Sequence, residues 1–186
     1  MSEILIIIIS GLPCTGKTDL GKRLANKFNL PYVSKDEIKE LLFDSLGWKD
    51  RKWSKKLGLT SYDLLYFFAE SQLKASKSFI IESNFKAKFV TEKFLNWQKK
   101  YGYEPIQIVC KTEGETLFKR FKKRAESGER HPGHVDHLNY DEFKKSLLKG
   151  EYKPLDIGGE MIEVDTTDFD KVDYKSIFEK INDKLK

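Results

Sequence analysis

The chain has 186 residues, 39% of them hydrophobic and 34% charged, with a net charge of +5. Such a chain fits one domain that buries about 70% of its unfolded surface, and it lacks the roughly 20 consecutive apolar residues of a membrane span. The apolar run at 4–9, flanked by Glu3, is too short for a secretory leader, and Cys14 and Cys110 form no disulfide framework, so a reducing, cytoplasmic setting is expected.

In chain order, the run Ile-Leu-Ile-Ile-Ile-Ile at 4–9 reads as a parallel strand buried on both faces. Residues 11–18, Gly-Leu-Pro-Cys-Thr-Gly-Lys-Thr, then match the phosphate-loop pattern G-x-x-x-x-G-K-[ST]. Gly11 and Gly16 let the backbone curl, so that the amides from Cys14 to Thr18 point into one concavity at a helix start, a nest for polyphosphate. Pro13, Thr15 and Asp19 lie in or next to this loop and join the candidate nucleotide contacts. Lys17 is expected to reach the β and γ phosphates, and Thr18 to ligate Mg²⁺. Leu20, Leu24 and Phe28 recur at helical spacing behind it.

A short second strand at 32–33 leads into Ser34-Lys35-Asp36-Glu37, where Ser34 and Glu37 have capping-box spacing, and a helix through Ile38, Leu41, Leu42 and Leu46 ends near Gly47. Residues 48–59 are polar and basic with two tryptophans, and 62–74 reads as an amphipathic helix. Strands are expected at 79–82, 105–110 and 161–165, with helices at 89–101, 117–125, 140–148 and 174–185 and a Gly/His/Pro loop at 127–137. Strands alternating with helices imply a parallel sheet covered on both faces, with ligands beyond the carboxyl ends of the strands.

Several polar positions stand out against this frame. Glu82 ends an apolar strand, where a carboxylate is costly without a partner, and a Mg²⁺ shell near Thr18 would be one. Arg120 and Arg124 share one helix face, and Arg130 lies in the loop that follows. His131, His134 and His137 are spaced three apart, but Pro132 and Gly133 interrupt the helix that would align them as metal ligands. Trp48, Arg51, Lys52 and Trp53 fit either a stacking and phosphate-holding segment or core tryptophans among surface charges.

The phosphate loop after strand one, Lys35-Asp36-Glu37 after strand two, Glu82-Ser83-Asn84-Phe85, Arg130-His131-Pro132-Gly133-His134 and the closing Val164-Asp165-Thr166-Thr167 together resemble the P-loop kinases. Within them the chain is similar to the AAA-type ATP-binding proteins and zeta-toxin-like kinases, whose relatives include polynucleotide 5′-kinases and chloramphenicol phosphotransferases. The resemblance implies a three-layer α/β P-loop fold with a five-stranded parallel sheet in the order 2-3-1-4-5. It also implies a lid at about 117–140, an acceptor-binding segment at about 36–75, and ATP with Mg²⁺ as cofactors.

By the same resemblance Asp36 faces the acceptor hydroxyl, although a first-turn acid steadying the helix dipole would look alike. Lys17, Asp36, Arg124 and Arg130 become the catalytic candidates, Thr18 and Glu82 the metal pair, and Asn84 a substrate contact. Arg120 and Thr167 join the nucleotide side, and Thr167 equally suits a plain turn. Many relatives carry Asp where this chain has Glu82. A small-molecule hydroxyl acceptor is expected rather than nucleic acid, since the lysines are scattered rather than gathered into a block. The alternatives are a nucleic-acid 5′-hydroxyl kinase and an ATP-dependent switch with no acceptor. No membrane or obligate protein partner is expected.

Overall fold

The computed structural model describes residues 4–185; Glu3, read above as a leader-excluding flank, lies outside them. Five parallel strands, β1 (Ile4–Gly11), β2 (Tyr32–Ser34), β3 (Phe79–Glu82), β4 (Tyr103–Lys111) and β5 (Glu160–Asp165), form one sheet in the order β2-β3-β1-β4-β5. The order anticipated from the resemblance is therefore the observed one.

The unbroken apolar run of β1 follows from its central place. Ile6 and Ile8 pack on one face with α3 (Arg51–Lys74) and α4 (Ala87–Tyr101), through Leu65, Ala69, Phe94 and Trp97. Leu5, Ile7 and Ile9 pack on the other face with α1 (Lys17–Phe28) and α7 (Tyr174–Leu185). Alternate residues of a strand face opposite ways, so a strand covered on both sides needs apolar residues at every position. A third, smaller cluster joins Leu117 and Phe121 of α5 (Gly114–Glu126) to Leu147 of α6 (Tyr140–Lys149), with Leu12 and Cys14 of the phosphate loop packed against it.

Two local expectations are corrected. The polar stretch at 48–59 is not a separate segment, because α3 starts at Arg51 and runs unbroken for 24 residues. The Asp50 carboxylate accepts from the Trp53 amide at 2.8 Å, an N-cap that the tryptophans and lysines around it obscured in the sequence. The first half of α3 packs on α2 (Lys35–Leu46), and the second half carries the sheet-facing residues Leu65, Ala69 and Leu73.

The capping box at Ser34 and Glu37 does not form. The Ser34 hydroxyl donates to Glu82 at 2.7 Å instead, and Glu37 pairs with Lys22 at 2.7 Å. A buried carboxylate outbids a helix amide for that hydroxyl, since a hydrogen bond to a charged acceptor is about twice as strong as a neutral one.

Candidate active site

The carboxyl ends of β1, β3 and β2 bring the phosphate loop, Glu82 and the start of α2 together, because β1 pairs with β3 and β3 with β2 in register. Gly11 has φ +145° and a Cβ there would strike the Cys110 carbonyl, while Gly16 has φ +79° and caps α1. Both glycines are thus required by the backbone, not only by the motif. Cys14 adopts φ +68° between them, and both cysteines are free thiols. Burial pushes the Cys14 thiol up, and Arg124, Lys17 and Arg130 pull the other way, which places all three cations around the loop.

Lys17 is 8% exposed, and its ammonium donates to the Leu12 carbonyl at 2.8 Å, with the Thr15 hydroxyl on the same carbonyl at 2.9 Å. The lysine therefore spans the mouth of the loop. Arg124 makes no hydrogen bond or ion pair through its guanidinium among the described residues, leaving its charge available.

The metal candidates meet. The Thr18 hydroxyl donates to Glu82 Oε2 at 3.1 Å, and the Tyr32 and Ser34 hydroxyls donate to the same oxygen at 3.3 and 2.7 Å. Glu82 is 4% exposed, yet no lysine, arginine or histidine lies within ion-pair distance of it among the described residues. A buried carboxylate held by three neutral hydroxyls lacks a cation, and one threonine and one carboxylate oxygen suit Mg²⁺, which keeps most of its shell for water and phosphate. Among the described residues no three or more His, Cys, Asp or Glu gather as a metal-holding cluster.

Asp36 and Arg130 also meet, although 94 residues separate them. Arg130 donates to Asp36 at 2.9 Å, to Glu40 at 3.2 Å, to Asp136 at 3.2 Å and to His134 Nδ1 at 2.9 Å. Asp36 also receives Lys35 at 3.0 Å. Burial raises the Asp36 carboxyl, but Lys35, Arg130 and His134 outweigh it and hold the group well below the usual carboxylate range. The side chain keeps 41% of its surface open, so the neighbouring cations govern its ionisation.

The histidines serve this network. His134 Nδ1 faces the Arg130 donor, so Nε2 carries the proton and donates to Glu40 at 2.9 Å. Burial first, then the Arg130 charge, pushes the imidazole down to about 4 against the pull of Glu40. His131 stacks on Phe43 with centroids 5.0 Å apart and reaches Asp44, while His137 is exposed. Gly133 lies flat on the Phe43 ring, where a Cβ would come within 2.6 Å. The loop at 127–137 is thereby pressed onto α2.

These shifts fix how the network answers acid. Between pH 6.5 and about 4 the unfolded His134 binds a proton that the folded one refuses, so stability falls as pH drops through that window. Asp36 acts with the same sign at lower pH; its contribution is present above its unfolded pKa and is lost as pH falls from there through its depressed folded value. The thermal midpoint should therefore decline between pH 6.5 and 4, by up to about 3 kcal/mol in stability. His134→Gln, which keeps a donor and an acceptor but does not titrate, should flatten that decline.

On the nucleotide side, Arg120 donates to the Thr166 and Thr167 carbonyls at 2.7 and 2.9 Å and lies 3.9 Å above the Phe169 ring. The Thr167 hydroxyl accepts from the Glu113 amide at 3.0 Å. Phe169 in turn covers Gly16, where a Cβ would meet it at 2.6 Å. A cleft of about 470 Å³ opens beside them, lined by Gly16, Asp19, Arg23, Phe169, Val172 and Tyr174. Asp19 is paired there with Arg23 at 2.7 Å.

Asn84 accepts from Tyr62 at 3.2 Å, next to a Tyr62–Ser83 hydroxyl pair at 2.8 Å. Trp48 and Trp53 stay outside the core. Trp48 is 49% exposed, and Trp53 donates to the Gly47 carbonyl at 2.9 Å beneath Lys49 and Lys56. Arg51 grips Glu142 of α6 through two bonds of 3.0 and 2.8 Å, and Lys52 is exposed.

The sequence profile described as AAA domain matches residues 6–148. This chain belongs to that AAA-domain family. A 1.70 Å crystal structure described as a putative kinase from Chloroflexus aurantiacus shares 37% identity with this AAA-domain chain over 100% of both, at a TM-score of 0.88.

Two more distant structures share the fold of the AAA-domain chain. A sugar kinase from Janibacter sp. matches at 15% identity, covering 100% of this chain and 95% of its own, with a TM-score of 0.56. A structure from the PezAT chromosomal toxin-antitoxin system of Streptococcus pneumoniae matches at 16% identity over 92% and 72%, with a TM-score of 0.58. No curated protein matches the chain. Among the described residues no helix is long and apolar enough to cross a membrane.

Proposed function

We propose that this protein is a phosphotransferase that moves the γ-phosphoryl of ATP to the hydroxyl of a small-molecule acceptor. The observation that carries the reading is the convergence of Lys17, the Thr18–Glu82 pair and Asp36 at the carboxyl ends of β1, β3 and β2, since a mere nucleotide holder needs no carboxylate on the acceptor side. The 37%-identical Chloroflexus chain described as a putative kinase supports it.

The loop amides and Lys17 would hold the β and γ phosphates, and the base would lie towards Arg120, Phe169 and Thr167. Thr18 and Glu82 would hold Mg²⁺, which supplies charge neutralisation on the phosphate oxygens. Asp36 would accept a hydrogen bond from the acceptor hydroxyl and orient its oxygen in line with the γ-phosphorus. Held as acidic as it is here, it takes the proton only as the new O–P bond forms and the bond to the β-bridging oxygen breaks, releasing ADP. Arg124, without an ion pair among the described residues, and Arg130 would meet the charge on the transferred group. The segment at 117–140 would act as the lid, and its hold on α2 would keep water from the phosphoryl group.

The test is incubation of the protein with γ-labelled ATP, Mg²⁺ and pools of hydroxyl metabolites and oligonucleotides. Label is expected on a small acceptor, and Asp36→Asn should lower transfer about 100-fold while nucleotide binding persists. Label on oligonucleotides alone would favour a 5′-hydroxyl kinase. Slow hydrolysis with no labelled acceptor in any pool would count against transfer.

A further inference from the structure

Lys39 is a buried lysine that the mechanism above does not use. It is 5% exposed, and its ammonium donates to the Ser54 hydroxyl at 2.9 Å and lies 5.2 Å from the centre of the Phe43 ring. No carboxylate lies within ion-pair distance of it among the described residues. A second ammonium, that of Lys35, stands beside it; a Cβ built on Gly58 would sit 3.7 Å from Lys39 Nζ and 4.0 Å from Lys35 Nζ. Two amine nitrogens therefore face one spot on α3 where the chain has no side chain.

The surroundings add positive charge rather than remove it. Lys35, Arg130 and Arg51 all act on Lys39 in the direction that disfavours its charge, and after burial they help to bring it down to about 7. Asp36 is the acid acting on it, and that carboxylate already holds Lys35 and Arg130. A structural lysine at this depth is ordinarily paired with a carboxylate. This one has a serine and an excess of cations.

We propose that Lys35, Lys39 and the Ser54 hydroxyl form a seat for an anionic group of the acceptor, so that the substrate is a hydroxyl compound already carrying a phosphate or a carboxylate. The inference rests on the phosphotransferase reading, because it takes the Asp36 side of the site to be the acceptor side. An anion seated there completes the charge balance that the protein leaves open. It also places the acceptor's remaining hydroxyls near Asp36, which shares Lys35 with the seat. Charge-assisted bonds from two ammonium groups and a hydroxyl would supply specificity against uncharged sugars and alcohols.

Inorganic phosphate is the probe, followed by amide NMR shifts in the full chain. A saturable response at Ser54 and Gly58 is expected in the wild type, weakened roughly tenfold or more in Lys39→Met. Lys39→Met removes a buried charge without changing side-chain length greatly, so its thermal midpoint should not fall. Ser54→Ala should weaken the response to a smaller degree.

Acetate in place of phosphate separates the two chemistries: tighter phosphate binding assigns a phosphorylated acceptor, and tighter acetate binding a carboxylated one. Absence of a saturable response at Ser54 and Gly58 to either anion, or a response that Lys39→Met leaves unchanged, overturns the proposal. The phosphate loop reports separately through the amides of Gly16 to Thr18. A parallel titration with ATP and Mg²⁺ that leaves those amides unmoved would refute the nucleotide reading and leave the α2–α3 seat standing or falling on its own shifts.

Discussion

Lys17→Ala should lower phosphoryl transfer by about three orders of magnitude while leaving the fold almost untouched. The ammonium spans the phosphate loop, donating to the Leu12 carbonyl at 2.8 Å from a side chain 8% exposed. Its loss removes a fixed positive charge from a water-poor site, where a single electrostatic contact is worth about 10²–10³ in rate. Because it would also hold two phosphates in the ground state, the combined fall in kcat/KM should reach about 10³-fold.

Stability should change by less than about 1 kcal/mol, since the Leu12 carbonyl keeps the Thr15 hydroxyl at 2.9 Å. Transfer from labelled ATP and a thermal melt on the same preparation check both halves. A variant that melts early would show Lys17 to be structural, and one that transfers normally would remove it from the site.

Arg130→Met should have the opposite signature, losing stability and rate together. The guanidinium is 15% exposed on its side chain and satisfies Asp36, Glu40, Asp136 and His134 at once. Burial works against its charge, and Asp36, Asp136 and Glu40 more than offset that, leaving Arg130 firmly protonated. Removing it strands three acids beside one another. Asp36 and Glu40, 41% and 35% exposed, can rehydrate, but Asp136 at 8% cannot.

The expected cost is about 3 kcal/mol, the lower part of the range for an uncompensated buried partner. The rate should fall by about 10³ if Arg130 meets the transferred phosphoryl. Arg130→Lys would recover part of the stability but not the forked contact to three acids. Denaturant unfolding and transfer assays on both variants separate the structural from the chemical share.

Much of this was legible in the residues. The β-branched run at 4–9 and the loop at 11–18 announced the central strand and its ligand side, because burial on both faces and a curled backbone each demand particular residue types. Thr18 with Glu82 and Asp36 with Arg130 were each marked as candidates one by one, and the fold brought both pairs together.

What the sequence hid was competition between partners. Ser34 had the spacing of a cap, but Glu82, 48 residues away, takes its hydroxyl. Residues 48–59 read as a polar stretch ahead of a helix at 62–74, whereas the Asp50 cap starts one long helix at Arg51. Lys39 went unnoticed because a lysine on an amphipathic helix is ordinarily solvated. Its spacing of four from Lys35, like charge over like charge, was the available signal. Phe169 was missed because nothing in an isolated Asp-Phe-Asp shows that its ring will lie on Gly16.

The small cluster that packs Leu12 and Cys14 against Leu117, Phe121 and Leu147 has a consequence for how this architecture tolerates change. The α5–α6 hairpin is not an accessory clipped to the edge of the sheet, because its apolar underside is also the ceiling of the phosphate loop. Exchanging that hairpin for one from a relative would alter the nucleotide grip, even with every residue from Gly11 to Thr18 retained. Variation in the two regions is therefore expected to be correlated across the family, and chimaeras cut between them should lose nucleotide affinity before they lose the sheet.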